Sequence, residues 1–258
     1  GPLCAEQMLY AACFAAMAKI SEQLGKDGSS YRCEYEKLTA AIEKFFWDEE
    51  KGAYIDSFTS GRRNVTRHAN IFAVLFSIAD EAKQEKILAN VLENDAIPAI
   101  TTPYFNFFEL DVLCQMGRLD VVLDKLRSYW GGMLDLGAVT FWEEYDPSVP
   151  KEEQYDMYGD HFGKSLCHAW AASPIYFLAR YFVGLDLVNK EGEAYVLRPQ
   201  LQYFSELDCT LPVGDHGTVR LVWDGEYLEV TADADGGILE LGEERISLVR
   251  GEVRRVKI

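Results

Sequence analysis

The apolar rhythm of this chain changes at Gly184, and that change limits what it can fold into more than any other feature. Before it, apolar residues recur at three- and four-residue steps, as in Met8, Leu9, Ala12, Cys13, Ala16, Met17 and Ile20, the period of a helix face. After it come short alternating segments, YVLRP, LDCTLPV, GTVRLVWDG, EYLEVTAD, GILELG and RISLVRG, separated by Gly, Asp and Pro. That spacing belongs to an antiparallel β-sandwich. The chain therefore reads as mainly α with a β tail, a helical domain over residues 1–186 and a small sandwich over 187–258.

Within the first part, one helix runs to Gly25 and others are predicted over 32–47, 67–79, 81–93, 104–117, 119–130 and 164–183. Asp80 is placed to cap one start, and Gly117 and Gly131-Gly132 punctuate the third pair. Such helices pair into hairpins, an array of antiparallel helices without a fixed-period repeat. In the tail, Asp224-Gly225 and Asp235-Gly236-Gly237 read as hairpin turns. Trp223 and Tyr227 are the aromatic residues there that a carbohydrate-binding face would use.

Charge narrows the partners. With 25 basic against 42 acidic residues the net charge is −17, which repels nucleic acid and anionic membrane surfaces. No apolar run is long enough to span a bilayer, and no basic stretch precedes an apolar one at the start. The six cysteines lack a C-x-x-C pair and read as reduced thiols, which makes a cytoplasmic location the expectation. Asn64-Val65-Thr66 is a formal glycosylation sequon of a kind that arises by chance. Gly1-Pro2, without a methionine, reads as a processing scar.

The chemistry concentrates in GAVTFWEEYDP, residues 137–147, where Glu143, Glu144 and Asp146 lie among Phe141, Trp142 and Tyr145. Rings stack on the apolar faces of a pyranose while carboxylates bind hydroxyls or move protons, so a sugar site is the functional reading. A plain alternative has Trp142 and Tyr145 covering a bundle end with the acids facing water. Two further stretches, NVTRHANIF with Arg67, His68 and Asn70, and TTPYFNFFELD with Tyr104, Phe105 and Asn106, begin helices and supply hydroxyl and ring contacts. Packing explains their aromatics equally well. No His or Cys cluster has metal-ligand spacing, so neither a metal nor another cofactor is expected.

GAVTFWEEYDP followed by GKSLCHAWAASPIYFLARYFVGLD resembles the bacterial α-L-rhamnosidases. These carry a Gly-Ala-Thr-Thr-aromatic-Trp-Glu segment and then a Ser-x-x-His segment opening the final helix before a C-terminal β-sandwich. The resemblance implies a six-hairpin glycosidase, an (α/α)6 toroid with its site in the central funnel and hydrolysis with inversion. On this resemblance Glu143 takes the position of the general base, with Glu144 ranked behind it. Trp142 would line the pocket and His168 would contact the bound sugar. Val139 departs from the usual threonine.

The resemblance also implies a general acid in an upstream segment ending Gly-Trp-x-Gly-Asp, and nothing in residues 1–135 is similar to it. About seven helices precede the tail, short of six hairpins, so a partial toroid with an open edge is expected. Self-association, or the other half of the ring, would cover that edge. The functional expectation is an α-L-rhamnosidase-type glycoside hydrolase acting on a rhamnose-containing carbohydrate, here without its acid. The alternative is a noncatalytic sugar-binding or assembly module on the same toroid.

Overall fold

The computed structural model describes residues 1–187, 195–215 and 217–258, and the chain divides into two compact units, residues 1–171 and 172–258. In the first, α1 (Cys4–Gln23) and α2 (Ser29–Phe46) form a hairpin and lead into the short strands β1 (Trp47–Asp48) and β2 (Ala53–Tyr54). Next come α3 (Arg67–Leu75) and α4 (Glu81–Ile87), the latter widening into a π-helical turn at Leu88–Leu92. α5 (Pro103–Gln115) and α6 (Leu119–Lys125) follow, and α6 continues through a second π-helical turn, Leu126–Trp130, into α7 (Gly131–Asp135).

Alternate helices make an inner row. α1 packs on α3 and α3 on α5, while α2 lies behind α1, the Leu88–Leu92 turn behind α3 and α6 behind α5. The inner helices are accordingly buried along whole runs, Ala69–Val74 in α3 and Glu109–Cys114 in α5. α1 buries Cys4, Met8, Ala11 and Ala18, yet Leu9, Tyr10, Met17, Ile20 and Leu24 on its other flank and at its end stay exposed. A helix apolar on all sides is normally enclosed on all sides, so this row of hairpins ends with a bare flank.

Several helix ends differ from the sequence expectation, each for a visible reason. α3 stops at Leu75 rather than 79, because Ser77 adopts a φ of +55° and the Ile78 and Ala79 amides turn back to the Ala73 carbonyl. Asp80 does cap α4, accepting the Lys83 amide at 2.9 Å. Gly131-Gly132 does not end its helix. The turn there continues to Asp135, and a β-carbon on Gly132 would collide with the Tyr145 ring, so this glycine serves close approach. The last helix begins at Ser173, not 164, with Pro174 in its first turn, where the missing N–H costs nothing. Residues 164–168 instead line up against 140–143, and a single 3-10 turn follows at Ala169–Ala171.

The second unit opens with α8 (Ser173–Phe177), extended by a π-helical turn at Leu178–Phe182. Eight strands follow among the described residues: β3 (Leu185–Leu187), β4 (Tyr195–Leu197), β5 (Leu207–Pro212), β6 (Thr218–Trp223), β7 (Tyr227–Ala232), β8 (Gly237–Leu241), β9 (Glu244–Leu248) and β10 (Val253–Lys257). They form two four-stranded sheets, β10-β7-β6-β5 and β3-β4-β8-β9. The antiparallel expectation needs one correction: β4 pairs with β8 in parallel. Val219, Leu221 and Trp223 lie opposite Ala232, Val230 and Leu228, and they share one buried cluster with Tyr195, Leu197, Leu239 and Leu248 of the other sheet. Period-two burial thus supplies the core of the sandwich. Trp223 belongs to that core, its Nε1–H donating to the Phe204 carbonyl at 3.1 Å, and offers no sugar platform. Tyr227 is covered by the Arg255 guanidinium, 4.4 Å from its ring centre.

Candidate active site

The 140–145 segment is tied to 165–168 by backbone hydrogen bonds. The His168 amide donates to the Phe141 carbonyl at 2.8 Å and the Glu143 amide to the Ser165 carbonyl at 2.9 Å. This pairing sets where the two acids go. The half-buried Glu143 carboxylate accepts the Ser165 N–H on Oε2 at 3.0 Å and, more weakly, the Tyr158 hydroxyl on Oε1 at 3.3 Å. Glu144 meets different partners: Thr101 Oγ1 donates to its Oε1 at 2.9 Å, and Lys164 Nζ stands 4.0 Å from its Oε2. Adjacent carboxylates therefore do different things, one tied to Ser165 and Tyr158 and the other to Thr101 and Lys164.

Tyr158 reaches Glu143 from a tight turn. Met157 and Asp160 exchange backbone hydrogen bonds across it, at 2.9 and 3.0 Å, and Tyr158 and Gly159 take φ values of +54° and +81°. A tyrosine in the left-handed region is strained, and this one is 84% exposed with its hydroxyl on the carboxylate. The Glu143 charge raises the Tyr158 phenol above its ordinary value. Burial lowers the Lys164 ammonium, opposed chiefly by Glu144.

An aromatic series starts from His168, whose amide is bonded to the Phe141 carbonyl. His168 lies 4.7 Å from Trp170, Trp170 is 5.0 Å from Tyr104, Tyr104 is 5.6 Å from Phe108, Phe108 is 5.4 Å from Phe105, and Phe105 is 4.2 Å from His68, all between ring centres. Trp170 and Tyr104 remain 57% and 47% exposed. Thus His168, Tyr104 and His68, from three separate stretches, share one ring-lined surface. Contact with Phe105 removes water from His68 and lowers its pKa, against the pull of Asp56 and Glu109.

Other expected site residues sit elsewhere. Trp142 is 3% exposed and packs edge-on against Tyr155, so it is a wall of the core and not a pocket lining. Arg67 is buried with all five N–H donors engaged, by the carbonyls of Pro98, Leu92, Asn94 and Ile97 and by Glu109 Oε1 at 2.7 Å. None is left for a sugar; Arg67 secures the 92–98 loop and, with Lys125, neutralises the buried Glu109. Asn106 is buried, donating to the Ile100 carbonyl at 3.1 Å, and Asn70 clips α3 to Tyr54 through both its amide atoms. Spacing could place these residues at helix starts but could not say which way each side chain turns. The sequence pattern gives Ser165 only as the serine of the Ser-x-x-His segment and does not single out Tyr158, Lys164 or Trp170, although the Tyr158-Gly159 pair between polar residues is a turn signal.

Among the described residues no group of three or more His, Cys, Asp or Glu is placed to hold a metal, and no helix is long and apolar enough to cross a membrane.

Residues 3–182 match the bacterial alpha-L-rhamnosidase six-hairpin glycosidase domain. The chain belongs to this family. The rhamnosidase-type chain superposes on the GH78 family rhamnosidase of Bacillus sp. GL1 with a TM-score of 0.77 and 22% identity, covering 93% of this chain and 26% of that one. A rhamnosidase from Klebsiella oxytoca, solved with rhamnose bound, is 30% identical over 69% of this chain and 34% of its own, with a TM-score of 0.60. The Streptomyces avermitilis alpha-L-rhamnosidase complexed with L-rhamnose is 17% identical, with 90% and 22% coverage and a TM-score of 0.67. The rhamnosidase-type chain thus spans no more than about a third of these enzymes. No curated protein matches it.

Proposed function

We propose that this chain supplies the base side of an α-L-rhamnosidase-type site, with Glu143 the general base in inverting hydrolysis of a terminal rhamnoside. The observation that carries the reading is the hold on Glu143, whose half-buried carboxylate is fixed by Ser165 N–H and Tyr158 O–H, in the segment that resembles the family's base motif. In that role Glu143 takes a proton from water as the water oxygen bonds to the anomeric carbon, while the glycosidic bond breaks and the leaving oxygen takes a proton from a second carboxyl group. Inversion requires the two carboxyl groups to stand about 6.5–9.5 Å apart. We assign the acid to a part of the enzyme outside these 258 residues, and the bare flank of α1 to contact with the remaining hairpins of the ring.

His168, Trp170, Tyr104 and His68 form the sugar-facing surface in this reading, and Arg67, Asn106, Trp142 and Glu144 the framework behind it. Support for a sugar ligand comes from the rhamnose held by the Klebsiella and Streptomyces relatives.

The test is hydrolysis of an aryl α-L-rhamnoside by this chain, alone and recombined with the remainder of a six-hairpin domain, together with calorimetric binding of L-rhamnose. Turnover only in the recombined enzyme, lost in Glu143→Gln while binding persists, is the expected result. Turnover that survives Glu143→Gln removes Glu143 as base, and sugar binding with no turnover in any combination favours a noncatalytic module.

A further inference from the structure

We propose that Lys164 is a positioning residue of this site: its ammonium holds Glu144, and through Glu144 the backbone of the Trp142–Tyr145 segment, in the register that pairs Glu143 with Ser165. The inference rests on the reading of Glu143 as the base, and its test is separate from turnover.

Lys164 is 8% exposed, which is unusual for lysine unless an anion meets it. The anion nearest its Nζ is Glu144 Oε2, at 4.0 Å. Glu144 is fixed at its other oxygen by the Thr101 hydroxyl, and the next residue, Tyr145, donates its amide to the Thr101 carbonyl at 3.2 Å. Glu144 therefore joins two loops, the one before α5 and the one containing Lys164. The sequence neighbours repeat the arrangement one step along. Ser165, beside Lys164, pairs with Glu143, beside Glu144, so one alignment of 143–144 on 164–165 satisfies both pairs and a one-residue slip breaks both.

A buried ammonium without its carboxylate is costly, so the alignment is favoured by charge as well as by backbone hydrogen bonds. Asp146, Asp156 and Glu143 act on Lys164 in the same direction as Glu144, and its backbone N–H donates to the Tyr155 carbonyl at 3.2 Å. Burial, which lowers the Lys164 ammonium, outweighs the pull of all four acids.

The experiment is amide hydrogen exchange in the 258-residue chain at Glu143 and Ser165, comparing the unaltered protein with Lys164→Met and Lys164→Arg. Lys164→Met is expected to speed exchange at both amides by about tenfold or more relative to amides of the second unit, and Lys164→Arg, which keeps the cation, to stay within about threefold of the unaltered chain. Unchanged exchange in Lys164→Met overturns the inference and leaves the assignment of Glu143 to the hydrolysis test. If Lys164→Met does not fold, the decision passes to Glu144→Gln, with the Lys164 ammonium followed by isotope-edited NMR titration. A lower titration midpoint than in the unaltered chain is expected, and an unmoved midpoint overturns the inference.

Discussion

Glu143 and Ser165 hold each other twice, the Glu143 amide donating to the Ser165 carbonyl at 2.9 Å and the Ser165 amide to Glu143 Oε2 at 3.0 Å. A hydrogen bond to a charged group is worth about 1.5–3 kcal/mol, so the second of these is the stronger tie. Ser165→Pro deletes that donor and should lower the unfolding free energy in urea by about this amount. Ser165→Ala keeps the N–H and should cost less than about 0.5 kcal/mol. Equal effects of the two substitutions would show that the backbone donor does not hold Glu143.

Trp170 and Tyr104 expose much of their rings, so truncating them removes little core. An aromatic contact is worth about 0.5–1.5 kcal/mol beyond its buried area, and each substitution to Ala should weaken L-rhamnose binding by roughly threefold to tenfold while the melting temperature moves little. Calorimetry on the two single variants checks this, and unchanged affinity in both would remove the ring series from the sugar surface.

Arg67 is the opposite case. Its guanidinium meets Glu109 at 2.7 Å where Glu109 is fully buried, and Lys125 Nζ reaches the same oxygen at 2.6 Å. Removing one partner of a buried ion pair costs about 3–5 kcal/mol, because the other charge stays behind. Arg67→Met should therefore destabilise the chain by about that much in a denaturant titration. If it folds, sugar affinity should be unchanged; a variant of full stability with lost sugar binding would return Arg67 to the site.

His68 adds a pH dependence. Its pKa is lowered in the folded chain from an ordinary value of 6.5, so below that pH the unfolded chain binds more protons and stability falls as pH falls. The loss begins near pH 6.5 and is complete below the folded pKa. His68→Gln should flatten this part of the profile, measured as the difference in melting temperature between pH 7.5 and 5 for variant and unaltered chain. Parallel profiles would show that His68 does not contribute.

Much of this arrangement was legible in the residues. Asp80 before an apolar-periodic stretch announced its helix, and alternation in GTVRLVWDG and EYLEVTAD announced paired strands with one buried face. Local pattern failed where a distant group decides. Gly132 reads as a stop, yet it is small because Tyr145 lies against it. Arg67 reads as a sugar contact at a helix start, yet four carbonyls of a loop about thirty residues on and one glutamate capture it. Apolar spacing extends the last helix back to 164, yet the helix starts at Ser173 with Pro174 in its first turn. Nothing in GKSLCH says that the lysine faces inward, since that follows from Glu144 waiting behind it.

The parallel pairing of β4 with β8 also has a kinetic consequence. β5, β6 and β7 join neighbours in sequence through short turns, whereas Tyr195, Val196 and Leu197 find Gly237, Ile238 and Leu239 only after three other strands have passed. Closing the longer loop costs more entropy before any contact compensates it. Pulse-labelled hydrogen exchange during refolding should show β6 and β7 amides protected ahead of those in β4 and β8, and simultaneous protection would contradict this order. The second unit then nucleates at its middle, and β3 and β4, though first along the chain, are latecomers to their own sheet.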